Sequence, residues 1–312
     1  MNVCFVGTGS IGTRHIKNLS SLCKQRGIEL TIDLVRFSER PLDAFVAQKV
    51  SHIYRAWNEI DHSYDAIFIA NPTFLHRETL SASQHISKVF FVEKPLVEDV
   101  CVLENFDFDL PRDNLYYVAC PLRYTQALLR AESIIAEQPV FSARALSSSY
   151  LPDWRRGVDY REVYSAHKDQ GGGVAIDLIH EWDYLVHLFG FPQQVMMMEG
   201  TFSDLEVDSE DLAIYLARYA DKLVEVHLDY FGREPMRMFE FFTREATYRV
   251  DICHARLLKN GEVIESWAED PNDKYLREME LFIGLITGQI KQSPNTLEDA
   301  VRVQRIAQGV TT

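Results

Sequence analysis

A glycine-rich segment near the amino terminus has the spacing of a phosphate-binding turn. Gly7-Thr8-Gly9-Ser10-Ile11-Gly12 directly follows the apolar run Val3–Val6. After a buried strand, the first glycine permits a tight turn, the second lets the backbone approach a pyrophosphate, and the third lets the next helix pack closely. Such turns also occur without a ligand, but this position between a strand and a helical stretch favours binding. We therefore predict dinucleotide contacts at Gly7, Gly9, Ser10, Ile11 and Gly12.

A lysine follows a second apolar run. Val89–Val92 leads into Glu93-Lys94-Pro95, and ligands of doubly wound sheets bind outside the carboxyl ends of the strands. Lys94 could donate to a substrate hydroxyl or carbonyl there, and partial desolvation would lower its pKa toward the range useful for proton transfer. The alternative is a surface lysine at a loop entrance.

A carboxylate and an imidazole follow three consecutive glycines. Asp177 and His180 are three residues apart after Gly171–Gly173, so on a helix they share one face. Together they could hydrogen-bond a polyol and exchange its proton. The alternative is a polar stripe in which Asp177 merely satisfies His180.

The elements around the glycine turn and Lys94 alternate between strand and helix up to about residue 120. The predicted strands are Val3–Val6, Leu30–Phe37, Ala66–Ala70, Val89–Val92 and Leu115–Ala119. Between them lie predicted helices at Gly12–Lys24, Leu42–Lys49, Leu75–Ser83 and Val97–Asn105. This alternation predicts an α/β Rossmann domain, with a doubly wound parallel sheet, over residues 1–120.

The pattern changes after residue 120. Helix Gln126–Glu137, strand Val140–Ser148 and helix Val174–Leu188 precede a run of strands that includes the favoured hairpin turn Asn260-Gly261. We expect residues 121–312 to form an α+β domain on a large open antiparallel sheet, which binds substrate. Its carboxyl-terminal helices can pack back on the first domain. Because such a sheet leaves one face uncovered, we expect a homodimer or homotetramer.

Composition excludes several classes of protein. The 312 residues carry a net charge of −14, whereas nucleic-acid binding needs a basic face. No apolar run reaches the ~20 residues of a membrane span, and we see no signal peptide. Five widely spaced cysteines without a C-x-x-C motif favour a reducing, cytoplasmic compartment. The histidines show no metal-ligand spacing, so we expect no metal.

Four segments in this order make the chain resemble the Gfo/Idh/MocA oxidoreductases, a family named for glucose–fructose oxidoreductase, inositol dehydrogenase and a rhizopine-catabolism oxidoreductase. The segments are GTGSIGTRH (7–15), AIFIANPTFLH (66–76), FVEKPL (91–96) and GGGVAIDLIHEWDYLVHLFG (171–190). The resemblance implies a Rossmann domain that binds NAD(P), a second domain whose sheet mediates oligomerisation, and hydride transfer to or from a carbinol carbon. The substrate would be a sugar, nucleotide sugar or cyclitol.

The resemblance also implies roles for particular residues. Glu93 and Lys94 match the segment between cofactor and substrate, and Lys94, Asp177 and His180 would be catalytic. Asn71, Pro72 and His76 match the segment that lines the cofactor, whereas Arg123 and Tyr124 match one that enters the active site. The family commonly places histidine four residues after the aspartate, where this chain has Glu181. Whether His180 or Glu181 faces the substrate therefore stays open.

The end of the second strand bears on the choice of dinucleotide. In Leu34–Arg40 the residues Arg36, Ser38 and Arg40 alternate, so on an extended strand they could face one way and bind a 2′-phosphate. Glu39 could instead accept a hydrogen bond from a free 2′-hydroxyl. We lean slightly toward NADP over NAD.

A loop before the three glycines is rich in aromatic residues and arginines. Trp154 could stack on a sugar face, and Arg155 could bind a carboxylate or phosphate, although such residues are also typical of interfaces. We predict an NAD(P)-dependent dehydrogenase acting on CH–OH groups. The alternatives are a non-catalytic dinucleotide-binding sensor or scaffold of the same fold, and a reductase of a non-sugar carbonyl or imine.

Overall fold

The computed structural model describes residues 1–98 and 110–310, which form two compact units. The first unit comprises Met1–Pro121 and Tyr275–Val301, and the second comprises Leu122–Lys274 and the described residues from Arg302 onward. Most of the predicted helix Val97–Asn105, with Cys101, lies outside the described residues.

A six-stranded sheet forms the centre of the first unit, and every neighbouring pair in it is parallel. The strands are β1 (Asn2–Val6), β2 (Thr31–Val35), β3 (Val50–Tyr54), β4 (Ala66–Ile69), β5 (Val89–Val92) and β6 (Leu115–Val118). Their order is β3-β2-β1-β4-β5-β6, which confirms the predicted doubly wound sheet. The edge strand β3 was not predicted, because its three central residues are exposed and give no apolar pattern.

Helices connect these strands and cover the sheet. They are α1 (Ser10–Arg26), α2 (Ala44–Lys49) and α3 (His76–Ser83). Gly27, with φ 66°, ends α1 and donates its N–H to the carbonyls of Cys23 and Lys24. The Asp43 side chain caps α2 by accepting from the N–H groups of Phe45 and Val46.

A carboxyl-terminal helix completes the first unit. In α7 (Asp273–Ile286) the ring of Phe282 packs against Phe68 and Phe91, with centroids 5.1 Å away in each case. Glu278 accepts from the Tyr117 hydroxyl at 2.9 Å. These contacts bury α7 against β4, β5 and β6.

The second unit contains the large open sheet that the sequence predicts. The strands are β7 (Val140–Tyr150), β8 (Gln194–Gly200), β9 (Leu212–Arg218), β10 (Leu223–Asp229), β11 (Phe231–Thr243), β12 (Thr247–Asp251), β13 (Arg256–Lys259) and β14 (Glu262–Ser266). Their order is β14-β13-β12-β11-β7-β10-β9-β8, and all pairs are antiparallel except β7 with β10. Asn260 and Gly261 join β13 to β14 with positive φ angles of 51° and 89°, as the Asn-Gly hairpin turn requires.

Helices cover one face of this sheet. They are α4 (Gln126–Glu137), α5 (Val174–Asp177), α6 (His180–Phe189) and the end of α8 (Leu297–Ala307). Side chains such as Ala131, Trp182 and Ile306 form one core with the inner residues of the strands, among them Tyr215 and Phe239. No helix in the described ranges is long and apolar enough to cross a membrane.

The opposite face of the sheet exposes apolar side chains. Backbone pairing aligns Met238, Leu146, His227, Ile214 and Met198 in one row across five strands. Met198 is 81% exposed and Ile214 is 40% exposed. Within the run Met196–Met198 only Met197 packs toward the interior, whereas Met196 and Met198 are exposed.

The predicted helix Val174–Leu188 is interrupted. Its first turn is α5, and α6 begins at His180, because Leu178 leaves the helical region with φ −100° and ψ 27°. Neither residue between the helices is glycine or proline, so no break was predicted. The helical spacing from which we placed Asp177 and His180 on one face therefore does not apply to these two residues.

Candidate active site

The glycine turn forms a cradle that fits a bound pyrophosphate. Gly7 has φ +97°, and a Cβ there would lie 2.4 Å from backbone atoms of Ala70 and Asn71. A Cβ on Gly12 would lie 2.3 Å from the Gly7 carbonyl oxygen. A Cβ on Gly9, by contrast, would meet no described atom within 4 Å. The first and third glycines thus let strand and helix pack, whereas the space beside Gly9 can admit a ligand at the start of α1.

The cradle, Asn71 and Lys94 lie at one edge of the parallel sheet. Gly7 follows β1, Asn71 comes just after β4 and Lys94 follows β5, and these three strands are neighbours. Since the carboxyl ends of parallel strands share an edge, three predicted cofactor segments are brought together.

His76 holds the backbone at this edge. It is buried, with Nε2 3.0 Å from the Asn71 carbonyl oxygen and Nδ1 3.3 Å from that of Leu96. Burial lowers the pKa of His76. His76, which we predicted to line the cofactor, therefore holds the loops after β4 and β5 in place. Asn71 is fixed further because its side-chain amide donates to Thr79 Oγ1 at 2.8 Å.

Glu93 links the phosphate-binding helix to the lysine. Its Oε1 lies 2.5 Å from Nε2 of the fully buried His15 in α1, and its Oε2 accepts from the Lys94 N–H at 3.2 Å. Burial opposes ionisation of Glu93, but the hydrogen bond and charge of His15, together with the charge and backbone N–H of Lys94, lower the pKa of the carboxyl. His15 thus supports the Glu93-Lys94 segment. The peptide bond between Lys94 and Pro95 is cis.

Arg36, Ser38 and Arg40, which we predicted to lie near the ribose of the cofactor, are brought together by a turn after β2. Because β2 ends at Val35, alternation along a strand does not apply; instead, Arg36 donates to the Arg40 carbonyl, and the Arg40 N–H donates to Ser38 Oγ at 3.2 Å. Arg55, which follows β3, donates to the carbonyls of Arg36 and Ser38 at 3.1 and 3.3 Å. Sequence reasoning missed Arg55 because β3 itself was missed.

Asp33 and Glu39 are acidic residues near the carboxyl end of β2, and the first is buried whereas the second is ion-paired. Asp33 in β2 accepts from the Tyr64 hydroxyl at 2.9 Å and is 6% exposed. Glu39 lies 3.4 Å from Arg55 Nη2 and is highly exposed. The residue that directly follows β2 is the basic Arg36.

The second unit contains a cavity of about 710 Å³, a size typical of small-molecule sites. Asp177, His180, Trp154 and Arg155 all line it. The structure therefore brings four predicted catalytic or substrate residues to one cavity.

Two tyrosines hold Asp177. Its Oδ1 accepts from the Tyr164 hydroxyl at 2.8 Å, and its Oδ2 accepts from the buried Tyr230 hydroxyl at 2.6 Å. Trp154 packs its edge against the Tyr230 ring, and Arg155 lies over the Tyr164 ring. The carboxylate orientation is thus fixed from both sides. Tyr230 carried no recognisable signal in the sequence, because it lies at the end of a strand far along the chain.

His180 and Glu181 differ in environment. His180 lines the cavity, whereas Glu181 is 0% exposed and its Oε1 lies 2.8 Å from Nε of Arg237. Of these two residues, His180 is therefore the one placed to meet a substrate in this cavity. Arg237, which also lines the cavity, was not predicted.

Arg123 is buried and forms an ion pair within the second unit. Its Nε and Nη2 donate to the two carboxylate oxygens of Asp183 at 2.8 and 2.7 Å, and neither side chain is more than 11% exposed. Arg123 is not among the cavity-lining residues. Its neighbour Tyr124 is partly exposed.

No group of three or more histidine, cysteine or acidic residues within 1–98 and 110–310 could hold a metal ion.

Comparisons with known proteins agree with this architecture. Residues 1–105 match the sequence model of an oxidoreductase family with an NAD-binding Rossmann fold, GFO_IDH_MocA. The myo-inositol 2-dehydrogenase of Thermotoga maritima is 21% identical over 304 residues, which cover 91% of this chain and 87% of that protein.

Two solved structures share the whole fold. The scyllo-inositol dehydrogenase of Lactobacillus casei, solved with NAD(H) and scyllo-inositol, superposes with a TM-score of 0.77 at 16% identity and covers 99% of this chain and 96% of that one. The UDP-N-acetylglucosamine 3-dehydrogenase of Acidithiobacillus ferrooxidans gives 0.75 at 16% identity, with the same coverage.

The first unit is thus similar in sequence to the NAD-binding Rossmann domain of this oxidoreductase family. The match to GFO_IDH_MocA covers three of the four sequence segments, GTGSIGTRH, AIFIANPTFLH and FVEKPL, so the similarity to this family lies in the first unit.

Proposed function

We propose that the protein is an NAD(P)-dependent dehydrogenase that acts on a CH–OH group of a sugar, nucleotide sugar or cyclitol. The observation that carries this proposal is the open space beside Gly9 in a cradle otherwise closed by backbone, at the sheet edge that also holds Lys94. The names of the relatives, which include inositol and nucleotide-sugar dehydrogenases, support the substrate class.

Gly7, Gly9, Ser10, Ile11 and Gly12 would hold the pyrophosphate, and the segment from Asn71 to His76 would line the rest of the cofactor. When bound, the nicotinamide supplies or accepts the hydride. The other steps fall to the side chains of this chain, which must bind the hydroxyl and move its proton.

Lys94 is the proposed donor to the reacting oxygen. Its backbone is fixed by Glu93, which His15 holds, so its ammonium starts from an anchored position. In the second unit, His180 would exchange the hydroxyl proton, and Asp177, fixed by its two tyrosines, would orient the imidazole.

The cavity lining suits a polyhydroxylated substrate. Tyr150 and Trp154 line the cavity, and aromatic side chains are suited to packing against the apolar C–H groups of a sugar ring. Ser149 lines the same cavity and its Oγ accepts from Trp154 Nε1 at 2.9 Å, so its own proton can be donated to a substrate hydroxyl.

The segment after β2 supports the use of NADP. Arg36 occupies the position where an NAD-specific acid is expected, Asp33 is buried, and Ser38 and Arg40 lie in the same turn. Arg40→Ala should mainly raise the KM for NADP and leave the KM for NAD unchanged. Equal use of both cofactors by the wild type would contradict this preference.

The exposed row on the second sheet supports self-association. Met198 and Ile214 are too exposed to be part of the core of one chain, and an apolar sheet face of this kind is typical of an interface. We therefore expect a dimer or tetramer through this face. The cysteines of the described part are free thiols, which is compatible with the cytoplasmic location that we propose.

A panel of sugars, nucleotide sugars and cyclitols tests the function. We expect reduction of NAD(P) with at least one of them, and a loss of at least a hundredfold in kcat for Lys94→Ala. Lys88→Ala is the matched control, because Lys88 precedes the same strand and pairs only with the exposed Asp113 among the described residues. Near-normal turnover by Lys94→Ala would remove that residue from the mechanism, and dinucleotide binding without turnover would favour a sensor.

A further inference from the structure

The guanidinium of Arg237 has an anchored edge and an unused edge. Its Nε lies 2.8 Å from Glu181 Oε1 and donates to Ser147 Oγ at 3.3 Å. Its two terminal nitrogens have no partner among the described residues, although the side chain is 24% exposed and lines the cavity. Four of the five N–H donors of an arginine belong to those terminal nitrogens.

Glu181 explains why this guanidinium is held in place. A carboxylate that is 0% exposed needs a paired positive charge, because burial of an ion is costly unless an opposite charge lies beside it. The pair therefore fixes the direction of the arginine before any ligand arrives. A fixed planar group binds carboxylate or phosphate oxygens through two parallel hydrogen bonds.

Most acidic groups of the lining are engaged by the fold. Asp177 accepts from two tyrosines, Glu269 accepts from the Gln126 N–H at 3.3 Å, and Asp270 accepts from the Asn272 N–H at 2.9 Å. Arg155 lines the same cavity as Arg237, and its guanidinium lies over the Tyr164 ring. The lining therefore has a second positive group beside Arg237.

We propose that Arg237 binds an anionic substituent of the substrate, either a carboxylate or a phosphate. This inference rests on the proposed function and narrows it from sugars in general to acidic sugars, such as uronates, sugar phosphates or nucleotide sugars. Glu181 is then a positioning residue that acts through Arg237 and does not touch the substrate.

Matched substrate pairs test the proposal. Each pair has a neutral sugar and its anionic counterpart, for example glucose with glucuronate, glucose with glucose 6-phosphate, and N-acetylglucosamine with its UDP derivative. We expect the wild type to show a kcat/KM at least about tenfold higher for the anionic member of one pair. The pair that shows this preference tells a carboxylate from a phosphate.

Arg237→Lys keeps the charge opposite Glu181 but removes the planar fork. It should abolish most of that preference, with the neutral sugar affected less than threefold. Arg249→Lys is the control, because Arg249 pairs with the buried Glu240 on the same sheet at 3.0 Å and does not line the cavity. It should leave the preference unchanged, and thermal unfolding shows whether each variant folds.

Two results would overturn the proposal without touching the dehydrogenase assignment. One is a wild type that uses neutral sugars as well as every anionic counterpart, and the other is an equal loss on both members of a pair in Arg237→Lys. If no sugar reduces NAD(P), the dehydrogenase assignment fails, and ligand-detected NMR on the same pairs then decides about Arg237. Equal binding of the neutral and anionic members of every pair would refute the proposal that Arg237 binds an anionic substituent.

Discussion

Replacing Arg123 with methionine separates a structural role from a substrate role. The arginine forks onto Asp183 through two hydrogen bonds of 2.7–2.8 Å in a buried environment. Methionine retains much of the apolar volume but leaves the Asp183 carboxylate without this partner. Breaking one side of a buried ion pair costs about 3–5 kcal/mol, so Arg123→Met should destabilise the second unit by that amount.

A compensating change distinguishes lost charge from lost packing. In the double variant Arg123→Met/Asp183→Leu no buried charge remains from the pair, and such apolar replacements are often neutral or stabilising. We expect it to recover at least half of the stability that the single variant loses. Urea unfolding followed by tryptophan fluorescence measures both, because Trp154, Trp182 and Trp267 all belong to the second unit.

His187 gives an independent readout of the same charge. Burial lowers the pKa of His187, and the positive charge of Arg123 lowers it further. Arg123→Met should therefore raise this pKa, which an NMR titration of the imidazole detects. A stability loss below about 1 kcal/mol with an unmoved His187 pKa would refute the buried-pair argument. A stable double variant with a raised substrate KM would instead give Arg123 the substrate role that the family resemblance implies.

Three further changes have expected outcomes. Gly9→Ala should unfold at the wild-type temperature, because the added methyl meets no described atom. It should nevertheless raise the dinucleotide Kd about tenfold or more, because the methyl fills the space for the phosphates. An unchanged Kd in calorimetry would contradict the assignment of this turn as a phosphate cradle. Tyr230→Phe should lower kcat about tenfold with little effect on KM, because it removes a hydrogen bond to Asp177. Tyr219→Phe is the control and should leave kcat unchanged, because the buried Tyr219 hydroxyl has no hydrogen-bond partner among the described residues. Burial raises the pKa of Glu210 from 4.5 to about 7, so ionisation of this carboxyl destabilises the fold as pH rises through that range. Glu210→Gln should therefore be about 1–2 kcal/mol more stable than the wild type at pH 8, and it should lose this advantage toward pH 4. A stability advantage of Glu210→Gln that grows as the pH falls would contradict the raised pKa of Glu210.

The Rossmann strands were predictable because each is a short apolar run that is buried on both faces. The runs at Val3–Val6, Ala66–Ala70 and Val89–Val92 mark the three strands whose ends form the candidate cofactor site. Edge strands β3 and β14 were not predictable in this way, because one face or more is exposed and their sequences carry no burial pattern.

The candidate site was only partly predictable because its supports come from distant parts of the chain. The Gly7–Gly12 turn and the Glu93-Lys94 segment are local patterns, so the sequence alone identifies them. The pairs His15–Glu93, Arg237–Glu181 and Tyr230–Asp177 are separated by 53 to 78 residues, and no local spacing announces them. The break between α5 and α6 was hidden for a different reason, since neither Leu178 nor Ile179 is a residue that typically ends a helix.

Transfer of a labelled hydride tests the central claim most directly. A sugar or cyclitol that carries deuterium on its carbinol carbon is incubated with the wild type and NAD(P), and the nicotinamide product is analysed by mass spectrometry. Our account predicts that the deuterium appears in the reduced nicotinamide and that Lys94→Ala slows its appearance at least about a hundredfold. Dinucleotide that binds tightly but gains no deuterium from any sugar, nucleotide sugar or cyclitol would contradict it.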